Sequence, residues 1–289
     1  MNGEIKDIVD AINNLRQPSD VLKDYVIPIG VPFFSSLVGW MAGYWSFHYQ
    51  EYVHMERGKV DAVNKWMILM LEARTELFSI KSNYYESLTD EPVQRMNAFP
   101  QLLAFKPKYI TAAAVDLFFI VPKREKVLNE YSKILDPLWL SHVISNYNLL
   151  QDLIIERNRV DGEVRSIILN DYSANGAAVY VSFDEILSSV GRKNFIHLFE
   201  LTERVIILLD DLIEEFSDYI KYFPQKVANK INKKAVKGYA GMLIPSDDMR
   251  MGKINMRSTK CNYAPLVGVY GMSVEDLNSK FKSYYNPDI

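Results

Sequence analysis

Residues 25–50 contain no Asp, Glu, Lys or Arg. This uncharged run limits what the chain folds into more than any other feature. A helix rises about 1.5 Å per residue and a bilayer hydrocarbon core is about 30 Å thick, so about 20 apolar residues span it. "YVIPIGVPFFSSLVGWMAGYWSFHYQ" is long enough. It does not read as a secretory signal, because the residues before it are acid-rich. Bulky Trp45, Phe47 and Tyr49 also stand where a small-residue cleavage site belongs.

The aromatic residues gather at the two ends of the run. Tyr25 stands at one end; Trp40, Tyr44, Trp45, Phe47 and Tyr49 crowd the other. Amphipathic rings prefer the headgroup level, so Tyr25, Trp40, Tyr44 and Trp45 are expected at the membrane interface. Pro28 and Pro32 each lack a backbone donor and disfavour helix in the residue before them. The regular helix is therefore predicted to start at Pro32, after an extended or kinked stretch from Val26 to Val31. From Pro32 to Gln50 it covers roughly 28 Å. The competing reading is a buried or re-entrant helix of a soluble fold.

Ser35, Gly39 and Gly43 follow one another at four-residue steps, the last two forming a GxxxG. Small residues let helix backbones approach closely in lipid, so this face is predicted to pair with another copy of the chain. Lys6, Arg16 and Lys23 before the run balance Arg57, Lys59 and Lys65 after it. The acidic N-terminal tail favours an orientation with the N-terminus outside and the main domain in the cytoplasm.

Downstream, Trp66, Leu69, Met70, Leu77, Ile80 and Tyr84 recur at helical steps. Pro92, Pro100 and Pro107 mark a turn region. "YITAAAVDLFFIV" is too short for a second span and reads as a buried helix, and a short amphipathic helix is expected over Lys123 to Leu135. Further long helices are predicted from Pro137, at a favoured first position, and from Asn194, a candidate cap, to a stop at Pro224. "SANGAAVYVSF" is the one strand-like insert before residue 224. The expected fold is mostly α. A single N-terminal transmembrane helix continues into an all-α bundle, followed by a small irregular tail with room for a β-hairpin. The predicted divisions are a tail over 1–24, the transmembrane helix over 25–50, the bundle over 51–223, and the basic segment with the irregular tail over 224–289.

Charge is unevenly placed. Residues 1–220 hold 21 Lys and Arg against 31 Asp and Glu; residues 221–260 hold 10 against only Asp247 and Asp248. Lys226, Lys230, Lys233, Lys234 and Lys237 cluster there, and on a helix Lys226, Lys230 and Lys234 would share a face. Such a face suits anionic headgroups or an acidic protein partner. Nucleic-acid phosphates are a lesser alternative, since aromatics for stacking are sparse.

Catalytic signals are thin. Cys261 is the single cysteine, so no disulfide forms within the chain and a cysteine-rich zinc site is excluded. Glu51 and His54 make half of a di-metal helical motif, and His197 with Glu200 has the reverse order, so no metal or other cofactor is expected. Asp210, Asp211, Glu214 and Glu215 interleave with apolar residues as on a solvated helix face. Phosphate-binding glycine loops and nucleophile elbows are absent.

Arg192-Lys-Asn-Phe-Ile-His197 resembles the Arg-x4–6-His signature of HEPN ribonucleases. The resemblance implies that His197 would handle the 2′-hydroxyl proton and Arg192 would stabilise the phosphate. The chain departs from that pattern in placing Lys193 directly after the arginine, with the polar Asn194 displaced by one.

The leading expectation is a non-enzymatic, oligomeric, membrane-anchored interaction protein whose cytoplasmic helical domain binds a protein partner. Such a layout suits an effector, a scaffold or the membrane subunit of a multi-component system such as phage defence. A membrane-tethered HEPN-like ribonuclease is the enzymatic alternative. The third is a soluble helical domain whose first helix is buried in a partner.

Overall fold

The computed structural model describes residues 2–15, 22–102, 105–121, 133–172, 183–245 and 252–285. These residues are mostly helical and contain no strand. Two compact units are present, Met1–Arg57 and Gly58–Ile289.

In the first unit, α1 covers Asn2–Leu15. A π-helical turn over Leu22–Val26 leads into α2, Ile27–Lys81. The helix therefore begins before Pro32, not at it. Pro28 falls in the first turn, where a missing N–H costs nothing. Pro32 lies inside the helix and forfeits only the bond to the first-turn carbonyl of Pro28. Ser36 Oγ donates to the Pro32 carbonyl at 2.7 Å. The helical stretch from Ile27 to Gln50 is thus about 36 Å long rather than barely 28 Å.

The second unit is a helical bundle. It holds α2 from Gly58 onward, α3 (Pro92–Ala98), α4 (Pro137–Tyr172), α5 (Phe183–Val190), α6 (Arg192–Val227), α7 (Val267–Tyr270) and α8 (Val274–Lys280). One apolar cluster joins Trp66, Met70 and Leu77 of α2 to Leu140, Tyr147 and Leu150 of α4 and to Leu209, Phe216 and Phe223 of α6. A second joins Val160 and Val164 of α4 to Phe195 and Phe199 of α6, with Tyr263, Leu266, Leu277 and Phe281 of the C-terminal segment. The start of α4 meets the end of α6 in one cluster and the reverse in the other, so the two run antiparallel. Burial of both sides drives this packing, because each helix carries an apolar stripe on its own.

Several local expectations change. Gly191, at φ 79°, precedes α6 in the left-handed region, while the Asn194 side chain donates to the Val190 carbonyl instead of capping. The helix passes through Pro224 and ends at Val227, with Pro224 and Val227 both buried. The predicted apolar helix near residue 115 is a 3-10 helix, Ala114–Ile120. Most of the helix expected over Lys123 to Leu135 lies outside the described residues, of which Lys133–Leu135 form one 3-10 turn. The strand-like insert falls almost wholly outside them as well. The tail after residue 224 forms no hairpin among the described residues; it contributes turns and the short α7 and α8.

Candidate functional site

Two features of the structure bear on function: the apolar helix and a buried charge network. From Tyr25 to Gln50 every residue except half-buried Gly30 is exposed. Fifteen large apolar side chains between Tyr25 and Tyr49 are among them, including Ile29, Phe33, Phe34, Trp40 and Trp45. They point in all directions around the helix. Trp40 stacks on Tyr44 at 5.8 Å, and Tyr44 meets the His48 ring edge-on at 4.3 Å. His48 Nδ1 lies 3.6 Å from Glu51, so Glu51 engages His48 rather than His54. Tyr25 is exposed at the other end of the run. A Cβ added at Gly39 or Gly43 meets nothing within 4 Å, and Ser35 is exposed beside them.

The acidic run on α6 is not a solvated face. Asp210, Asp211 and Glu215 are buried; Glu214 alone faces solvent. Lys81, itself 1 % exposed, donates from Nζ to Asp210 Oδ1 at 2.5 Å and to the Met256 carbonyl at 2.6 Å. Asp210 Oδ2 accepts the Ser258 amide at 2.8 Å. Asp211 accepts Arg257 Nη2, Ser283 Oγ and the Tyr284 amide, each at 2.7 Å. Glu215 receives Lys133 Nζ at 2.8 Å; burial nevertheless raises its pKa, with the lysine opposing. The C-terminal segment thus covers Asp210 and Asp211, and Lys133 meets Glu215, on the acidic arc that α6 would otherwise offer to water. Periodicity finds such an arc but not its cover. The signal that pointed to the cover was the excess of basic charge after residue 221, of which Arg257 is spent internally on Asp211 and Glu214.

A second buried pair ties α3 to α6. Arg95 Nε and Nη2 donate to the two oxygens of Glu203 at 2.8 and 3.1 Å, and Tyr263 OH donates to Glu203 at 3.0 Å. Burial opposes the arginine charge, but Glu203 outweighs it and raises the Arg95 pKa. Arg157 is fully buried and donates to the carbonyls of Met96, Phe99 and Pro100, which finishes the C-terminal end of α3; desolvation lowers its pKa to about 10. Cys261 is buried beside this network, and desolvation followed by Glu203 raises its pKa. Its thiol therefore stays protonated and unreactive. Every charge here is held by a partner inside the chain, as a structural network requires.

The structure does not bring Arg192 and His197 onto one face. Five residues on one helix put them about 140° apart. Arg192 Nε donates to the Val269 carbonyl at 2.6 Å, while His197 is exposed. Among the described residues no group of His, Cys, Asp and Glu is arranged to hold a metal ion.

The five lysines do not form a helix ladder. α6 ends at Val227, a 3-10 turn spans Ala228–Lys230, and Ile231 is extended at φ −113° and ψ 131°. Ile231 and Ala235 are buried and hold a turn on which Lys233, Lys234 and Lys237 are exposed; Lys226 is exposed and Lys230 half-buried. The chain beyond is pinned to α2: Tyr239 OH donates to Asp61 at 2.8 Å, and Asn64 exchanges bonds with Gly241 and Leu243. One long apolar N-terminal helix, exposed throughout its most apolar window, is thus attached to a bundle whose interior charges are mutually satisfied. Comparison with protein-family models, curated proteins and solved structures finds no match for this chain.

Proposed function

We propose that the chain is a membrane-anchored interaction protein. The helix from Ile27 to Gln50 crosses the bilayer, and the bundle from Gly58 onward binds a protein partner on the cytoplasmic side. The observation that carries this reading is exposure of the apolar run around its whole circumference. Complete removal of a large apolar side chain from water is worth about 1.5–3 kcal/mol. For fifteen partly exposed ones the total is on the order of 20 kcal/mol, above the roughly 5–15 kcal/mol net stability of a domain. The run must therefore be covered. A partner's groove covers one stripe of a helix, whereas lipid covers all of it.

Length supports the same reading, since about 36 Å exceeds the hydrocarbon thickness and leaves Tyr25 at one end and Tyr44, Trp45, Phe47 and Tyr49 toward the other headgroup level, while Trp40 falls near the middle of the run, away from the interface expected for it. Gly39 and Gly43 have no packing reason inside the chain to be glycine, although glycine weakens a helix by about 1 kcal/mol relative to alanine. Close approach of a second copy along Ser35, Gly39 and Gly43 supplies that reason. The exposed lysines, on a segment pinned at the part of α2 nearest in sequence to the apolar run, suit anionic headgroups or an acidic protein.

Membrane fractionation tests the proposal. The full chain should pellet with membranes, resist carbonate extraction and require detergent for solubility. A chain that purifies as a soluble monomer without detergent refutes it.

A further inference from the structure

α1 carries an apolar face that no other described residue covers. Ile5, Ile8, Val9 and Ile12 fall at i, i+3, i+4 and i+7, and their exposures are 57, 59, 48 and 57 %. At 100° per residue the four occupy an arc of about 100°. Asp7 and Asp10 lie on the opposite side, while Glu4 and Lys6 flank the arc. A helix of this length is marginal in water by itself, so a surface that accepts its apolar face is what sustains it.

We infer that α1 lies flat on the bilayer, in the leaflet where the chain enters the apolar run, with Ile5, Ile8, Val9 and Ile12 turned into the acyl boundary. This rests on the membrane-anchor reading and extends it from a crossing helix to a two-point attachment. Three observations choose lipid over a protein groove. Only residues 16–21 separate α1 from the turn that leads into α2, a tether of at most about 25 Å, so the apolar face is held at the membrane surface continuously. The arc holds aliphatic residues alone, with no aromatic or arginine anchor of the kind that fixes a protein interface. The helix bears Glu4, Asp7 and Asp10 against Lys6, so its attachment derives from apolar burial and favours zwitterionic over anionic headgroups.

The test uses the full chain in phosphatidylcholine vesicles, with an environment-sensitive fluorophore on single cysteines. The native thiol, Cys261, is buried, so the unsubstituted chain serves as the labelling blank. Probes at Ile8→Cys and Ile12→Cys should be quenched several-fold more by bromine-bearing acyl chains than by aqueous iodide. Probes at Asp7→Cys and Asp10→Cys should show the reverse, and Val38→Cys, in mid-run, should report lipid. Adding phosphatidylserine should not strengthen the lipid signal of α1. Introducing Ile5→Asp with Ile12→Asp should return a probe at Val9→Cys to iodide. If Val38→Cys reads lipid while the four α1 probes are equally open to iodide, the surface helix is overturned and the anchor stands. Protection of Ile8→Cys from both quenchers overturns it in favour of a protein contact. Should iodide reach Val38→Cys, both readings fall together.

Discussion

Replacing Asp210 with alanine decides whether the acidic run on α6 is part of the interior. Lys81 is 1 % exposed, and its ammonium is held by Asp210 and the Met256 carbonyl. Asp210→Ala removes the carboxylate bonded to that ammonium and also strips the Ser258 amide of its acceptor. Breaking a buried pair from one side costs about 3–5 kcal/mol, because the remaining charge stays desolvated. On a solvated helix face the same change costs within about 0.5 kcal/mol. Urea unfolding of the full chain in detergent, followed by Trp66 and Trp139 fluorescence, separates the two. With a slope of about 2–3 kcal/mol/M, the midpoint should fall by about 1–2.5 M. The double variant Lys81→Met with Asp210→Leu should recover part of the loss, since an apolar pair removes the stranded charge. The Ser258 amide remains unpaired in it, which retains a deficit of about 1–3 kcal/mol. A midpoint for Asp210→Ala equal to that of the parent chain refutes the buried network and restores the solvated face.

Glu215 titrates in the opposite sense to a stabilised carboxylate. Its folded pKa is raised by burial, so its stability contribution is present below the ordinary value of 4.5 and is lost as pH rises through the folded pKa. Glu215→Gln should therefore flatten the stability profile above pH 4.5 and leave the chain no less stable at pH 7, in urea titrations across that window. An undiminished slope contradicts this. For the apolar run, Gly39→Ile with Gly43→Ile should abolish oligomers on crosslinking in detergent without unfolding the chain, because both sites are open; unaltered assembly excludes that face. Replacing Lys226, Lys233, Lys234 and Lys237 with serine should weaken binding to phosphatidylserine-containing vesicles by about 1 kcal/mol for each lysine that meets the surface. Equal binding, measured with the bundle's partner absent, would place their role elsewhere.

The sequence by itself determined that the long segments of α2, α4 and α6 are helical and that residues 25–50 are apolar all round, because hydrophobic periodicity and missing charge are local properties; it did not show the shorter helices α1, α3, α7 and α8, which it left as tail or turn. It also carried the charge asymmetry after residue 221. It misplaced helix ends at Pro32, Asn194 and Pro224: Pro32 forfeits a single first-turn bond, Asn194 turns its side chain back to the Val190 carbonyl, and Pro224 is kept in the helix by its burial. The five-lysine ladder failed because Ile231 and Ala235 turn inward, and the backbone bends to let them. Tertiary structure alone decided the fate of Asp210, Asp211 and Glu215. Their arc has the period of a solvent-facing stripe; the C-terminal segment, 46 to 73 residues downstream, folds back with Arg257, Ser258, Ser283 and Tyr284 onto Asp210 and Asp211, and Lys133 from upstream meets Glu215. Long-range pairing of that kind leaves no trace in local spacing, since the desolvation of one charge is offset by groups that the chain brings near only when it folds.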